Sequence, residues 1–309
     1  MSNDIVVIGS INMDIVIKTK EIPKIGETVI GREMIETPGG KGANQAVALA
    51  KLGTQVNFLG MIGNDLYGSK LLSSMKESGI NIDYIKSVEG SSGLAFITVD
   101  DKGNNNIIVI PGANYKMDKQ YLHNHIDVIS RSKVVLLQNE IPIDIVKEAI
   151  ILSKNLGKLI VLNPAPASGL EKEILELIDI LIPNEHELAR ISGKEIMSIE
   201  SVVEACKYLI YKGVPKIITT LGDKGAIYVD KTIVQHFKPC ASKVVDTTAA
   251  GDSFIGGFLS SYILTNDMFK SIEFGQKAAA ITIQRFGAQE ALPTLEEIEK
   301  YNLSNISVG

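Results

Sequence analysis

The stretch Val245-Asp246-Thr247-Thr248-Ala249-Ala250-Gly251-Asp252-Ser253-Phe254 places an acid directly behind three very small residues, at the head of a long apolar segment. A helix that starts near Ala250 leaves its first N–H groups without intrahelical partners, and Ala249, Ala250 and Gly251 let a phosphate come close to them. Asp252, at the edge of that anion hole, could orient a hydroxyl and accept its proton during attack on a phosphoryl group. The same residue types also make an ordinary helix start, in which Thr248 or Asp252 is a cap and nothing more. Residues elsewhere in the chain must separate the two readings.

In an open α/β sheet, ligands bind beyond the carboxyl ends of the strands. Asn12 and Asp14 follow the first apolar run, Ile5 to Ile8, and could read sugar hydroxyls or simply form an Asx turn. Glu140 follows Val134 to Gln138 in the same way, and a solvated loop carboxylate is the alternative there. Gly39-Gly40-Lys41-Gly42 permits close backbone approach, with Lys41 and Asn44 as donors. It lacks the G-x-x-x-x-G-K-[ST] spacing of a P-loop, and Gly9-Ser10-Ile11-Asn12 does not continue as a dinucleotide-binding G-x-G-x-x-G. Asn184 and Glu187 have the spacing of a cap followed by an acidic first turn.

Three motifs in order, Pro38-Gly39-Gly40-Lys41-Gly42-Ala43-Asn44-Gln45-Ala46, Asn184-Glu185-His186-Glu187 and Asp246 to Phe254, resemble those of the ribokinase-like carbohydrate kinases, and the likeness runs over essentially the whole chain. That resemblance implies transfer of phosphate from ATP to O5 of D-ribose, with Asp252 as base and Ala249, Ala250 and Gly251 as the anion hole. It implies a sugar site of Asn12, Asp14, Gly40, Lys41, Asn44, Glu140 and Asp252. On the nucleotide side it implies Asn184, Thr220, Gly222 and Gly251, with Gln276 near the adenine, and Mg²⁺ held by Glu187 mainly through water. A K⁺ site would use Asp246 and Thr248 with the segment of Thr282, Arg285 and Gly287, where Ala291 replaces a frequent serine ligand. Another small sugar or a nucleoside as acceptor, or a sugar sensor without turnover, are the competing functions.

The elements that must position these residues alternate between strand and helix. Helices are expected at 43–52, 68–78, 143–156, 171–177, 185–191, 199–211, 250–264 and 268–284, with strands at 56–59, 134–138, 159–162, 178–182 and 216–220. This rhythm predicts β-α-β units and an α/β fold, a three-layer α/β/α sandwich around a mostly parallel sheet. Two β-rich excursions interrupt it: one around Ile15 to Ile17 and Thr28 to Ile30, the other Leu94 to Val99 and Asn106 to Ile110 flanking the turn Asp101-Lys102-Gly103-Asn104. They would form a small β lid from 12–37 and 91–112, inserted in a kinase domain of 1–11, 38–90 and 113–309. In the resembled family such a lid covers the sugar and often makes a homodimer.

Composition sets the outer bounds. A length of 309 residues suits about two domains or one large one with an excursion. Hydrophobic residues at 45% and charged residues at 22% are ordinary for a globular chain, and the net charge of −5 gives no general attraction to nucleic acid or anionic membrane. Met1-Ser2-Asn3-Asp4 leads straight into a strand with no basic, apolar leader, so a cytoplasmic location is expected. Cys206 and Cys240 form no C-x-x-C pair and are expected as thiols; His123 and His125 are expected on an exposed helix face.

Overall fold

The computed structural model describes residues 5–168 and 170–306; Met1 to Asp4 and the last three positions lie outside them. The strands are β1 (Ile5–Ile8), β2 (Asn12–Lys18), β3 (Glu33–Gly39), β4 (Val56–Gly63), β5 (Ile85–Val88), β6 (Gly93–Val99), β7 (Asn105–Ile110), β8 (Val134–Gln138), β9 (Leu159–Asn163), β10 (Ile180–Leu181), β11 (Lys216–Thr220), β12 (Ala226–Asp230) and β13 (Val234–Phe237). The α-helices are α1 (Lys41–Lys51), α2 (Leu66–Glu77), α3 (Lys119–Asn124), α4 (Ile126–Arg131), α5 (Ile143–Asn155), α6 (Lys172–Leu175), α7 (Glu185–Ser192), α8 (Ile199–Tyr211), α9 (Ala250–Thr265), α10 (Met268–Thr282) and α11 (Leu295–Ile306).

The main sheet has nine strands in the order β13-β12-β11-β10-β9-β8-β1-β4-β5. Pairing is parallel from β5 to β11, and the β11–β12 and β12–β13 pairs are antiparallel. β1 is an interior strand, between β8 and β4, and its alternating side chains explain the layering. Ile5 and Val7 join Ala43, Ala46, Val47, Phe254 and Phe258 of α1 and α9 on one face. Val6 and Ile8 join Ile145, Val146 and Ala149 of α5 and Val202, Ala205 and Leu209 of α8 on the other. A continuous Ile/Val run is therefore buried on both sides.

A second sheet of four strands, β3-β2-β6-β7, stands apart. β2 begins four residues after β1 ends, so the chain passes from an interior strand of one sheet into the other with Asn12 at the junction. The predicted turn between β6 and β7 is present, with Val99 opposite Asn105 and the Asp100 carboxylate accepting from the Lys102 and Asn104 N–H groups.

Three sequence expectations need correction. Thr28 to Ile30 is not a strand, and the partner of β2 is instead Glu33–Gly39. That segment carries Pro38 and two glutamates, which read poorly as a strand but suit the outer edge of a small sheet. The helix expected at 171–177 contracts to Lys172–Leu175. His125 is not on an exposed helix face: it ends α3 half-buried, its ring 4.6 Å from that of Tyr121 and 5.8 Å from that of Tyr84. Both cysteines are free thiols, Cys206 buried and Cys240 partly so. Among the described residues no helix is long and apolar enough to cross a membrane.

Candidate active site

Helix α9 starts at Ala250, and the residue before it, Ala249, takes the left-handed conformation with φ of 59°. No side chain caps this end. Ala249 carbonyl accepts from Ser253 N–H and the Ala250 N–H donates to Thr247 carbonyl, so one of the expected anion-hole donors is engaged in the turn. Gly251 is open: a Cβ built there would meet nothing within 4 Å. Its neighbours border a polar cavity of about 200 Å³, lined by Lys41, Asn163, Asn184, Glu187, Thr220, Thr247 and Ala249 to Asp252.

Asp252 is 7% exposed and held on both carboxylate oxygens. Asn44 Nδ2 donates to Oδ2 at 3.1 Å, and Gln45 Nε2 donates to Oδ1 at 2.9 Å. Both donors sit on α1, whose packing against α9 brings them there. Helix α1 starts after Gly40, whose φ of 90° and lack of a Cβ are both required: a Cβ would lie 2.8 Å from Asn12 N. No residue of its own caps α1. Glu140, from beyond β8, does so from outside, accepting from the Lys41 N–H at 3.0 Å and from the Ser10 hydroxyl at 2.5 Å. A carboxylate at a helix N-terminus is favoured by the unpaired N–H groups and the dipole.

Asn12 and Asp14 are buried at the root of β2. Asn114 Nδ2 donates to Asn12 Oδ1 at 2.7 Å, and the space beside Asp14 exists because β3 ends in glycine: a Cβ on Gly39 would fall 2.1 Å from the Asp14 carboxylate. Burial, followed by the nearby Glu140 and Asp252 charges, pushes the Asp14 pKa from 3.8 up to about 7, against the opposing pull of Lys41. Burial likewise raises Asp252, with Lys41, Gln45 and Asn44 opposing it. For Lys41 burial favours the neutral amine, but Asp252, Glu140, Glu187 and Asp14 outweigh it and raise its pKa. One ammonium thus balances four surrounding carboxyl groups.

Asn184 and Glu187 form a complete capping box at the start of α7: Asn184 Oδ1 accepts from Glu187 N–H at 2.8 Å, and Glu187 Oε2 accepts from Asn184 N–H at 2.9 Å. They also border the 200 Å³ cavity, so the capping and ligand-facing readings hold together. Burial raises the Glu187 pKa, with the Asn184 N–H bond and Lys41 opposing.

A second cavity of about 460 Å³ adjoins the first, sharing Thr220, Thr247, Ala250 and Gly251. Gly222, Val244, Phe254, Gln276, Ala279 and Ile283 are among the residues around it. Gln276 is therefore in its wall, but its Nε2 donates to Phe237 carbonyl at 3.2 Å. Asp246 stands behind the turn and bridges two segments, Oδ1 accepting from the Thr248 N–H and hydroxyl and Oδ2 from Gly287 N–H. The Thr282 hydroxyl lies 2.9 Å from the Ala278 carbonyl, to which it donates, and 2.7 Å from the Ser253 hydroxyl, from which it can accept, and Arg285 pairs with Glu297.

Five polar residues around this site escape sequence reasoning: Ser10, Gln45, Asn114, Asn163 and Gln289. Asn163 ends β9, so the strand-end rule that selects Glu140 reaches it as well. Gln45 lies within the glycine motif beside Asn44, but only the packing of α1 on α9 reveals its partner. Gln289 Nε2 donates to Asn44 Oδ1 across 245 positions, a pairing without any local signal.

A family model described as pfkB family carbohydrate kinase matches residues 2–295. The ribokinase of Staphylococcus aureus is 38% identical over 303 residues, 97% of this chain and 100% of that protein. The crystal structure of a ribokinase from Thermotoga maritima superposes with a TM-score of 0.88 at 39% identity, covering 96% of this chain and 98% of that one. An Arabidopsis thaliana ribokinase complexed with ribose and ATP superposes with a TM-score of 0.89 at 31% identity, covering 97% and 98%.

Proposed function

The chain belongs to the pfkB family of carbohydrate kinases, and from that premise we propose that it transfers the γ-phosphoryl group of ATP to O5 of D-ribose. The observation that carries the reading is the junction at Asp252, which takes a hydrogen bond from Asn44 on the sugar side and borders the cavity of Lys41, Glu187 and Gly251 on the phosphate side. The likeness to a ribokinase that binds ribose and ATP supports the same acceptor and donor.

Asn12, Asp14, Gly40, Lys41, Asn44 and Glu140 bind the pentose, so that a wrong sugar leaves buried polar groups unpaired. Asp252 orients O5 and takes its proton as that oxygen bonds to the γ-phosphorus and the bond to the β–γ bridging oxygen breaks, releasing ADP. Gly251 N–H and the Lys41 ammonium stabilise charge on the transferring group, while Thr220, Gly222 and Gln276 line the adenosine side. The sheet of β2, β3, β6 and β7 acts as a lid that excludes water from the phosphoryl group. A cytoplasmic location, where ATP is supplied, belongs to the same proposal.

Mg²⁺ fits the phosphate cavity, because the Glu187 carboxylate is pinned by the Asn184 N–H and Nδ2 and offers a hard oxygen to a hydrated ion. Bound with ATP, the ion would neutralise charge on the β- and γ-phosphate oxygens. K⁺ would be held by Asp246, which already joins the Thr248 and Gly287 segments, with main-chain carbonyls of Thr248, Thr282, Arg285 and Gly287. The buried Ala291 brings no side-chain oxygen, so activation by K⁺ should require higher concentrations than in an Ala291→Ser variant.

A coupled ADP-release assay over ribose, 2-deoxyribose, fructose and adenosine, with and without K⁺, tests the proposal. Ribose should give the highest kcat/KM, and Asp252→Asn should lose turnover by roughly 10²- to 10⁴-fold while still binding sugar. Preference for a nucleoside, or an unchanged rate in Asp252→Asn, rejects it.

A further inference from the structure

Gln45 is fully buried, and it sits within a chain of amides that has only one sense. Asn163 Nδ2 donates to the main-chain carbonyl of Ile182 at 2.9 Å, so its Oδ1 must be the atom that faces Gln45. Gln45 Nε2 donates to that Oδ1 at 3.1 Å and to Asp252 Oδ1 at 2.9 Å, which uses both of its hydrogens. Its Oε1 accepts from Gln138 Nε2 at 2.6 Å. A flipped Gln45 would set its carbonyl oxygen against two acceptors. The direction of the donor aimed at Asp252 is thus fixed by a backbone carbonyl at the end of β10, two amides away.

On the other side Gln289 Nε2 donates to Asn44 Oδ1 at 3.1 Å, which turns Asn44 Nδ2 toward Asp252 Oδ2. Five buried amides, Asn44, Gln45, Gln138, Asn163 and Gln289, in the heart of an α/β core are costly compared with apolar residues of the same size. The chain even ends on an unsatisfied atom, since Gln138 Oε1 is buried with no hydrogen-bond partner. Stability alone does not account for such an arrangement.

We infer that Gln45 is a positioning residue for phosphoryl transfer: anchored through Asn163 on Ile182, it holds Oδ1 of Asp252 while Asn44 holds Oδ2, and the two donors together fix the plane in which the carboxylate meets the acceptor hydroxyl. The inference rests on Asp252 being the base. The charged groups around Asp252 are Lys41 and Glu140, with Asp14 and Glu187 also interacting with it. Among these Lys41 favours the ionised base, and the Gln45 and Asn44 donors work with it against burial.

The test is Gln45→Met, which keeps the volume and removes the donor, made in the full-length chain. We expect kcat to fall about 10- to 100-fold with the sugar KM within about threefold, as for a misaligned reacting group. The acid limb of the kcat/KM profile should move to higher pH, and the ¹³C carboxyl resonance of Asp252, assigned by its loss in Asp252→Asn, should titrate at higher pH. Asn163→Leu should shift both in the same direction by less. Wild-type kcat with unchanged Asp252 titration in both variants overturns the inference, as does a raised KM with kcat untouched. The carboxyl titration needs no turnover, so a chain inactive on every sugar would defeat the kinase reading and leave this measurement to judge Gln45.

Discussion

At the scale of single residues, the site is a problem of too many carboxylates. Asp14, Glu140, Glu187 and Asp252 surround one ammonium, Lys41, and burial raises three of them, Asp252, Glu187 and Asp14, the last to about 7. A carboxyl raised in the folded state binds a proton there that the unfolded chain has released. Its cost is therefore absent below about pH 4, develops as pH rises, and is complete above about pH 7. The shift from 3.8 corresponds to roughly 4 kcal/mol at most. Asp14→Asn should leave stability near pH 5 little changed in comparison and raise Tm at pH 8, checked by thermal denaturation of the unliganded protein at both values. A variant no more stable than the parent at pH 8 would contradict the burial of an ionised Asp14. Among these residues Asp252, Lys41 and Glu187 are legible from motif and chemistry, whereas the outside cap that Glu140 supplies to α1 depends on β8 lying beside β1.

At the scale of elements, the contact between α1 and α9 governs the geometry of the base. Helix α1 carries Lys41, Asn44 and Gln45, and α9 carries Asp252. Their approach is close at Gly256, where a Cβ would lie 2.4 Å from Ala48 Cβ. Gly256→Ala gains about 1 kcal/mol of helix propensity but forces the helices apart at a typical overpacking cost of about 1–3 kcal/mol. We expect a lower Tm and a loss of kcat larger than the loss of stability explains, because the Gln45–Asp252 bond stretches. A raised Tm with normal turnover would show that the contact has slack. The hydrophobic periods of α8 and the buried runs of β8 and β11 locate those elements to the residue, since each pattern reports its own burial. Strand β3 is hidden because its identity comes from its partner β2 and not from its own Glu- and Pro-bearing sequence.

At the scale of the whole molecule, the small sheet leaves apolar surface without a partner. All six residues of the edge strand β7 are exposed, and Ile108 is 63% exposed in the middle of Ile107, Val109 and Ile110. Met34 on the opposite edge is also exposed. Unpaired edges and apolar patches of this kind are covered by association in stable proteins. We propose that two copies pair through this sheet, so sedimentation analysis should find a dimer and Ile108→Asp should give a monomer with a raised sugar KM. A parent chain that is monomeric at high concentration would remove the proposal.

What the sequence determined by itself is whatever local pattern and chemistry encode: the alternation of strand and helix, the β6–β7 turn, the small-residue helix start at Ala250 and the acid behind it. What only the tertiary structure decided is which distant groups share a low-dielectric space. The amide chain from Ile182 to Asp252, the link from Gln289 to Asn44 and the raised Asp14 join residues of four to five separate elements. Hydrogen bonding and charge coupling fall off over a few ångströms, and a sequence records order along the chain, not distance through the core.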